Sequence, residues 1–175
     1  MIKSLKQLGR KSILQLSLLV ALLIAGGIST PAHASTSYGY YQPHQLFVTS
    51  NECLTYNTFL NDVSQRLYVA QCAEGWTPQL WDIVYVGNGY YNIVSRYDNT
   101  RCVDVFAYNQ NVLARVVTWT CIPGATNQQW SFTYSSATNS WAIQARHSSL
   151  CLQSMSPWVD QNYCYWLVQP RWYMR

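Results

Sequence analysis

RCVDVFAYNQNVLARVVTWTCIPGATNQQW, residues 101–130, carries a skeleton that recurs on either side of it. Its fixed points are Cys102 just inside an apolar run, Cys121, and Trp130 two residues after Gln128. Moved back by 49 positions, they land on Cys53, Cys72 and Gln79-Leu80-Trp81. Moved forward by 49, the first lands on Cys151, while the others arrive early, at Cys164 and Trp172. A chain repeating at this period is read as copies of one structural unit, each burying its apolar face on its neighbours. Three copies are too few for a propeller, which needs roughly four to eight blades. The apolar residues also alternate as strands do, instead of recurring at helical spacing.

Each copy opens with a short strand, over residues 46–49, 91–95 and 141–145, followed by a polar turn and the first cysteine. A further strand is expected from Val112 to Trp119, with Val112, Ala114, Val116 and Thr118 on one face and Leu113, Arg115, Val117 and Trp119 on the other. The copy closes on the tryptophan strand, residues 81–86 and 130–134, and then a turn such as Gly87-Asn88-Gly89. The expectation is an all-β domain of short strands with no helix, the last tryptophan strand lying near the first strand of copy one.

The first residues carry Lys3, Lys6, Arg10 and Lys11, an apolar run to Ile28, then Ala32-His33-Ala34. This is the pattern of a cleaved signal peptide; a membrane anchor is the alternative, but the run is short and interrupted by Gln15, Ser17, Gly26 and Gly27. The expected organisation is a signal peptide over 1–34, a leader over 35–45 and one domain over 46–175, secreted or periplasmic, with no membrane span after cleavage. Beyond residue 34 the charge of +4 disappears, since no Lys remains and the Arg match the 7 acids. A chain without a basic face is not expected to bind nucleic acid. All 8 Trp and all 14 Tyr lie in this part, which suits a ligand polar on one face and apolar on the other.

Six cysteines, two per copy, in an exported chain read as disulfides. The repeat favours Cys53 with Cys72, Cys102 with Cys121, and Cys151 with Cys164. Zinc is the competing reading, but the short cysteine pairs of a zinc site are missing. No metal or other cofactor is expected.

Cysteine, Val-Asp-Val, cysteine and Asn-Gln-x-Trp in this order resemble the ricin B-type lectin family, a β-trefoil of three pseudo-symmetric repeats named for its Gln-x-Trp motifs. The resemblance covers Leu46 to the C-terminus. It implies that a sugar site needs an Asp after the first cysteine, an aromatic ring before the second, and an amide ahead of the last Trp. The chemistry fits: a carboxylate accepts from sugar hydroxyls, a ring covers the C–H face, and an amide both donates and accepts. In the central repeat these positions hold Asp104, Trp119, and Asn127 with Gln128. Val117 stands where the family often has a Gln. The bland alternative for Asp104 is a turn cap, and for Gln128 and Trp130 a purely structural role.

The outer repeats depart from the pattern. Thr55, Ala70 and Pro78 occupy the site positions of the first; Gln153, Asn162 and Gln169-Pro170-Arg171-Trp172 those of the third. The resemblance therefore implies one sugar site, for a galactose-like glycan. The alternative is an accessory or cell-binding subunit of a bacterial toxin-like complex, whose trefoil with worn sugar motifs binds a protein through an aromatic patch that Trp76, Trp158 and Trp166 would supply. No enzyme is expected, because His44 and His147 stand beside no nucleophile and the acids are scattered.

Overall fold

The computed structural model describes residues 43–48, 51–59, 65–164 and 172–175. The expected signal peptide, the leader as far as residue 42, Trp166 and the Gln169-Pro170-Arg171 segment lie outside these described residues.

Among the described residues thirteen strands form one sheet: β1 (Leu46–Val48), β2 (Glu52–Thr55), β3 (Gln65–Arg66), β4 (Tyr68–Gln71), β5 (Trp81–Gly87), β6 (Tyr90–Ser95), β7 (Arg101–Val105), β8 (Val116–Thr120), β9 (Trp130–Ser135), β10 (Ser140–Ala145), β11 (Cys151–Met155), β12 (Trp158–Asn162) and β13 (Tyr173–Met174). Among the described residues the only helical segments are three 3-10 turns, at Thr77–Gln79, Phe106–Tyr108 and Thr126–Gln128. The fold is an all-β trefoil. Within the repeats β2 pairs with β4, β7 with β8 and β11 with β12, setting Cys53, Cys102 and Cys151 opposite Ala70, Trp119 and Asn162. Between repeats β3 joins β8, and β4 joins β12.

Three antiparallel pairs carry the tryptophan strands: β5 with β6, β9 with β10, and β13 with β1. In them Ile83 faces Ile93, Phe132 faces Ile143 and Met174 faces Leu46. The Gly87-Asn88-Gly89 turn between β5 and β6 has φ of +99°, +55° and +79°, a run that glycine and asparagine adopt at least cost.

Trp81, Trp130 and Trp172 are 0%, 0% and 1% exposed. Each indole N–H donates to a carbonyl in the neighbouring cysteine strand, Leu54 at 3.0 Å, Val103 at 3.1 Å and Leu152 at 2.8 Å. Burying each ring stabilises the fold by on the order of 4–6 kcal/mol as an upper bound, and the N–H bond removes the polar cost of doing so. Three buried tryptophans on one bonding scheme make the repeat a physical one. The three expected disulfides are present, with Cα–Cα separations of 5.0, 5.0 and 5.1 Å.

Two expectations change. The strand before Cys121 begins at Val116, not Val112: Val112 and Leu113 form an exposed turn in which Leu113 has φ +63°. This turn is held by the Leu113 N–H bond to the Gln161 carbonyl at 2.8 Å, so tertiary contact overrides the local alternation. At the end of the expected leader, His44 pairs with Trp81 through two 2.9 Å backbone bonds, and Gln45 is buried against Arg175.

Candidate functional site

The central site is assembled by the burial of Trp130. Its indole bond to Val103 draws the preceding 3-10 turn, Thr126–Gln128, against β7. Asp104 is the next residue of β7, so turn and strand meet at its carboxylate. Asn127 Nδ2 donates to Asp104 Oδ2 at 2.9 Å, and Gln128 Nε2 donates to the same oxygen at 2.8 Å. Both bonds fall on Oδ2, leaving Oδ1 clear of the amides.

Gln128 is fully buried and also holds the turn after Cys121: its Oε1 accepts from the Ile122 N–H at 2.8 Å and its Nε2 donates to the Thr120 carbonyl at 2.9 Å. Asn127 Nδ2 reaches the Val105 carbonyl at 3.1 Å, while its Oδ1 is buried with no partner among the described residues. Such an orphaned acceptor costs roughly 1–3 kcal/mol until a donor reaches it. Asp104 is 4% exposed, and burial pushes its pKa up to about 6 against the opposing effect of the Gln128 and Asn127 bonds.

Trp119 lies on β8, half-exposed, opposite Cys102, and Val117 lies opposite Asp104 on the same face. Val117 is fully buried, so the position that could carry an extra amide is apolar packing. Asp104, Trp119, Asn127 and Gln128 thus lie on one strand pair and the turn packed against it.

Sequence reasoning missed the turn after β7. Phe106 packs edge-on to Trp119, with ring centroids 6.4 Å apart, and the Arg115 guanidinium sits 3.9 Å from the Phe106 ring centroid. Ala107 and Tyr108 both have φ +56°, a conformation costly for residues with a Cβ. The turn is secured from outside. The Tyr108 hydroxyl accepts from the Thr126 N–H at 3.0 Å, and the Asn109 carbonyl accepts from Gln161 Nε2 at 2.8 Å. Tyr108 therefore couples this turn to the one carrying Asn127. The available signal was the aromatic run Phe-Ala-Tyr directly after Val-Asp-Val.

The outer repeats keep the scaffold and change the chemistry. Gln79 repeats the role of Gln128, accepting from the Ala73 N–H at 2.8 Å and donating to the Gln71 carbonyl at 3.0 Å, but its third partner is the Thr55 hydroxyl at 3.1 Å. Among the described residues no carboxylate stands there, and Pro78 replaces the amide. In the third repeat Gln153 turns inward to the Tyr163 carbonyl at 2.9 Å. Trp76 and Trp158 are each 39% exposed, Trp158 beneath the Arg66 guanidinium at 4.9 Å. Among the described residues no three His, Cys, Asp or Glu side chains group so as to hold a metal ion, and no helix is long and apolar enough to cross a membrane.

Residues 79–162 match the family described as ricin-type β-trefoil lectin domain-like. No curated protein sequence matches the chain. Among solved structures, a designed threefold-symmetric protein, ThreeFoil, superposes with TM-score 0.66 at 22% identity, covering 75% of this chain and 96% of that one. A Polyporus squamosus lectin bound to a human-type influenza-binding epitope gives 0.66 at 13%, covering 78% and 49%. The Haemophilus ducreyi cytolethal distending toxin gives 0.60 at 14%, covering 80% and 91%. At these identities the likeness is one of fold.

Proposed function

From the match of residues 79–162 to the ricin-type β-trefoil lectin-like domain family, we propose that the chain is an exported carbohydrate-binding protein with one sugar site, in its central repeat. The observation that carries this reading is the polar cluster at Asp104. One carboxylate oxygen is fixed by two amides, the other stands clear of them, and the adjacent Asn127 Oδ1 is a buried acceptor without a donor among the described residues. Neighbouring sugar hydroxyls would donate to both, and Trp119 would cover the apolar C–H face. Gln128 acts by holding Asp104 in place. A galactose-like sugar is the proposed ligand class.

A single shallow site of this kind binds at about millimolar strength, or about 4 kcal/mol. Useful binding to a surface then comes from several copies or a multivalent glycan. The proposed organisation is an export signal over 1–34, a leader over 35–45 whose last residues His44 and Gln45 pack on the domain, and the lectin module over 46–175. The three disulfides fit an oxidising compartment, secreted or periplasmic. Neither catalysis nor a cofactor is part of the proposal.

A second reading, as an accessory subunit of a toxin-like complex, is favoured by one observation: the outer repeats lack the site chemistry while Trp76 and Trp158 remain part-exposed. A glycan array on the mature protein and on Asp104→Ala separates the two. Binding to galactosides that the substitution abolishes supports the lectin; an array with no signal favours the protein-binding subunit.

A further inference from the structure

A pocket of about 230 Å³ opens between the three tryptophan-strand pairs, lined by His44, Ile83, Tyr91, Phe132, Trp141 and Met174. These six residues are two sets related by the repeat. Ile83, Phe132 and Met174 each lie two positions after a buried tryptophan of the repeat, Trp81, Trp130 and Trp172. His44, Tyr91 and Trp141 are the residues paired with those same tryptophans across the sheet. The pocket therefore lies on the pseudo-threefold axis, and none of its residues belongs to β7, β8 or the turn bearing Asn127.

The layer beneath explains why a gap exists here. There the repeat places the same residue three times, and Trp81, Trp130 and Trp172 are each at most 1% exposed. The layer above mixes Ile, Phe and Met with His, Tyr and Trp, and such unequal side chains do not close an axis. Its walls are nevertheless fixed. Phe132 makes edge-to-face contacts with Tyr91 at 5.6 Å and with Trp141 at 6.4 Å, and Tyr85 and Tyr134 brace Tyr91 and Trp141 from outside at 5.3 and 5.1 Å.

We propose that this axial pocket is a second binding site, separate from the central-repeat cluster, that takes one aromatic ring bearing a single hydrogen-bonding group. Its size sets the limit: it exceeds the ~150 Å³ cavity that holds one benzene and falls below the ~300 Å³ at which pockets for drug-sized ligands begin. Its chemistry sets the class. Tyr91, Phe132 and Trp141 offer faces and edges to a ring, and the polar side-chain groups of the lining are the His44 imidazole, the Tyr91 hydroxyl and the Trp141 indole N–H. A sugar would press several hydroxyls against Ile83, Phe132 and Met174 without partners, which is unfavourable. The ligand is a free small molecule, because the pocket accommodates a ring and little beyond it.

Phenol is the probe, titrated into the mature protein labelled with 15N at tryptophan, with calorimetry alongside. The expected result is saturable binding of one phenol per chain that moves the Trp141 indole N–H signal and leaves that of Trp119 in place. Ile83→Trp, which fills the pocket, weakens phenol at least tenfold with the circular dichroism unchanged. Phe132→Leu, a milder change, weakens it several-fold. Excess galactose does not displace phenol, and Ile83→Trp leaves galactoside binding intact, so this site and the sugar site fail independently. The proposal is overturned by the absence of saturable binding, by displacement with galactose, or by unchanged affinity in a folded Ile83→Trp protein.

Discussion

Gln128 Nε2 donates to Asp104 Oδ2 at 2.8 Å while Gln128 Oε1 accepts from the Ile122 N–H at 2.8 Å. One buried side chain thus locks the second cysteine turn and orients the carboxylate proposed to receive the sugar. Scaffold and site share a residue, so their contributions are separable only by comparison between repeats.

Gln79→Ala and Gln128→Ala make that comparison. Each removes a fully buried amide together with its several hydrogen bonds, among them the one from the Ala73 or Ile122 N–H, and urea unfolding should show each destabilising by roughly 2–4 kcal/mol. Galactoside binding should survive the first substitution and be lost in the second.

At the proposed site Asp104 should make sugar binding pH-dependent. Sugar hydroxyls would donate to the carboxylate, and its pKa in the fold is about 6, so affinity should drop about tenfold per pH unit below that point. Calorimetric titrations with a galactoside between pH 7.5 and pH 4.5 check this.

Stability responds to the same group with the opposite sense. The folded pKa lies above the unfolded value near 3.8, so the folded state holds the proton more tightly. The stabilising contribution is complete below about pH 4 and is lost as pH rises through about 6. Asp104→Asn removes the buried charge while an amide oxygen can still accept from Asn127 and Gln128. It should therefore raise stability at pH 7 by on the order of 1–3 kcal/mol, abolish sugar binding, and show no such loss between pH 4 and pH 6. Thermal unfolding of both proteins across that range measures it.

Ala107 has φ +56° in the turn after β7. Ala107→Gly relieves the Cβ clash at the cost of unfolded-state entropy, for a net gain of about 0.5 kcal/mol. A small rise in unfolding midpoint with galactoside affinity retained is the expected outcome.

Much of this was legible in the chain because Trp81, Trp130, Trp172 and the cysteines repeat at matching places, and a repeat constrains a whole fold. What stayed hidden follows from local ambiguity. Val112 to Trp119 alternates like a strand, yet Leu113 turns out at φ +63° because its N–H is bonded to the third repeat. Positive φ at Ala107 and Tyr108 leaves no mark in residue type, so the Phe106 wall beside Trp119 was not foreseen. The candidate residues Asp104, Trp119, Asn127 and Gln128 were readable from the motif, but the orphaned Asn127 Oδ1 needed coordinates. Tyr91 and Trp141 were aligned as the first residues of their copies, but the place of His44 as their equivalent was hidden, since it is unlike either and fell in the expected leader.

The central claim, one sugar site and that site in the middle repeat, is tested most directly by titrating a galactoside into 15N-tryptophan-labelled mature protein. The account predicts a saturable shift of the Trp119 indole signal, with the Trp76 and Trp158 signals of the outer repeats unmoved. Shifts at Trp76 or Trp158 with Trp119 unchanged would contradict it.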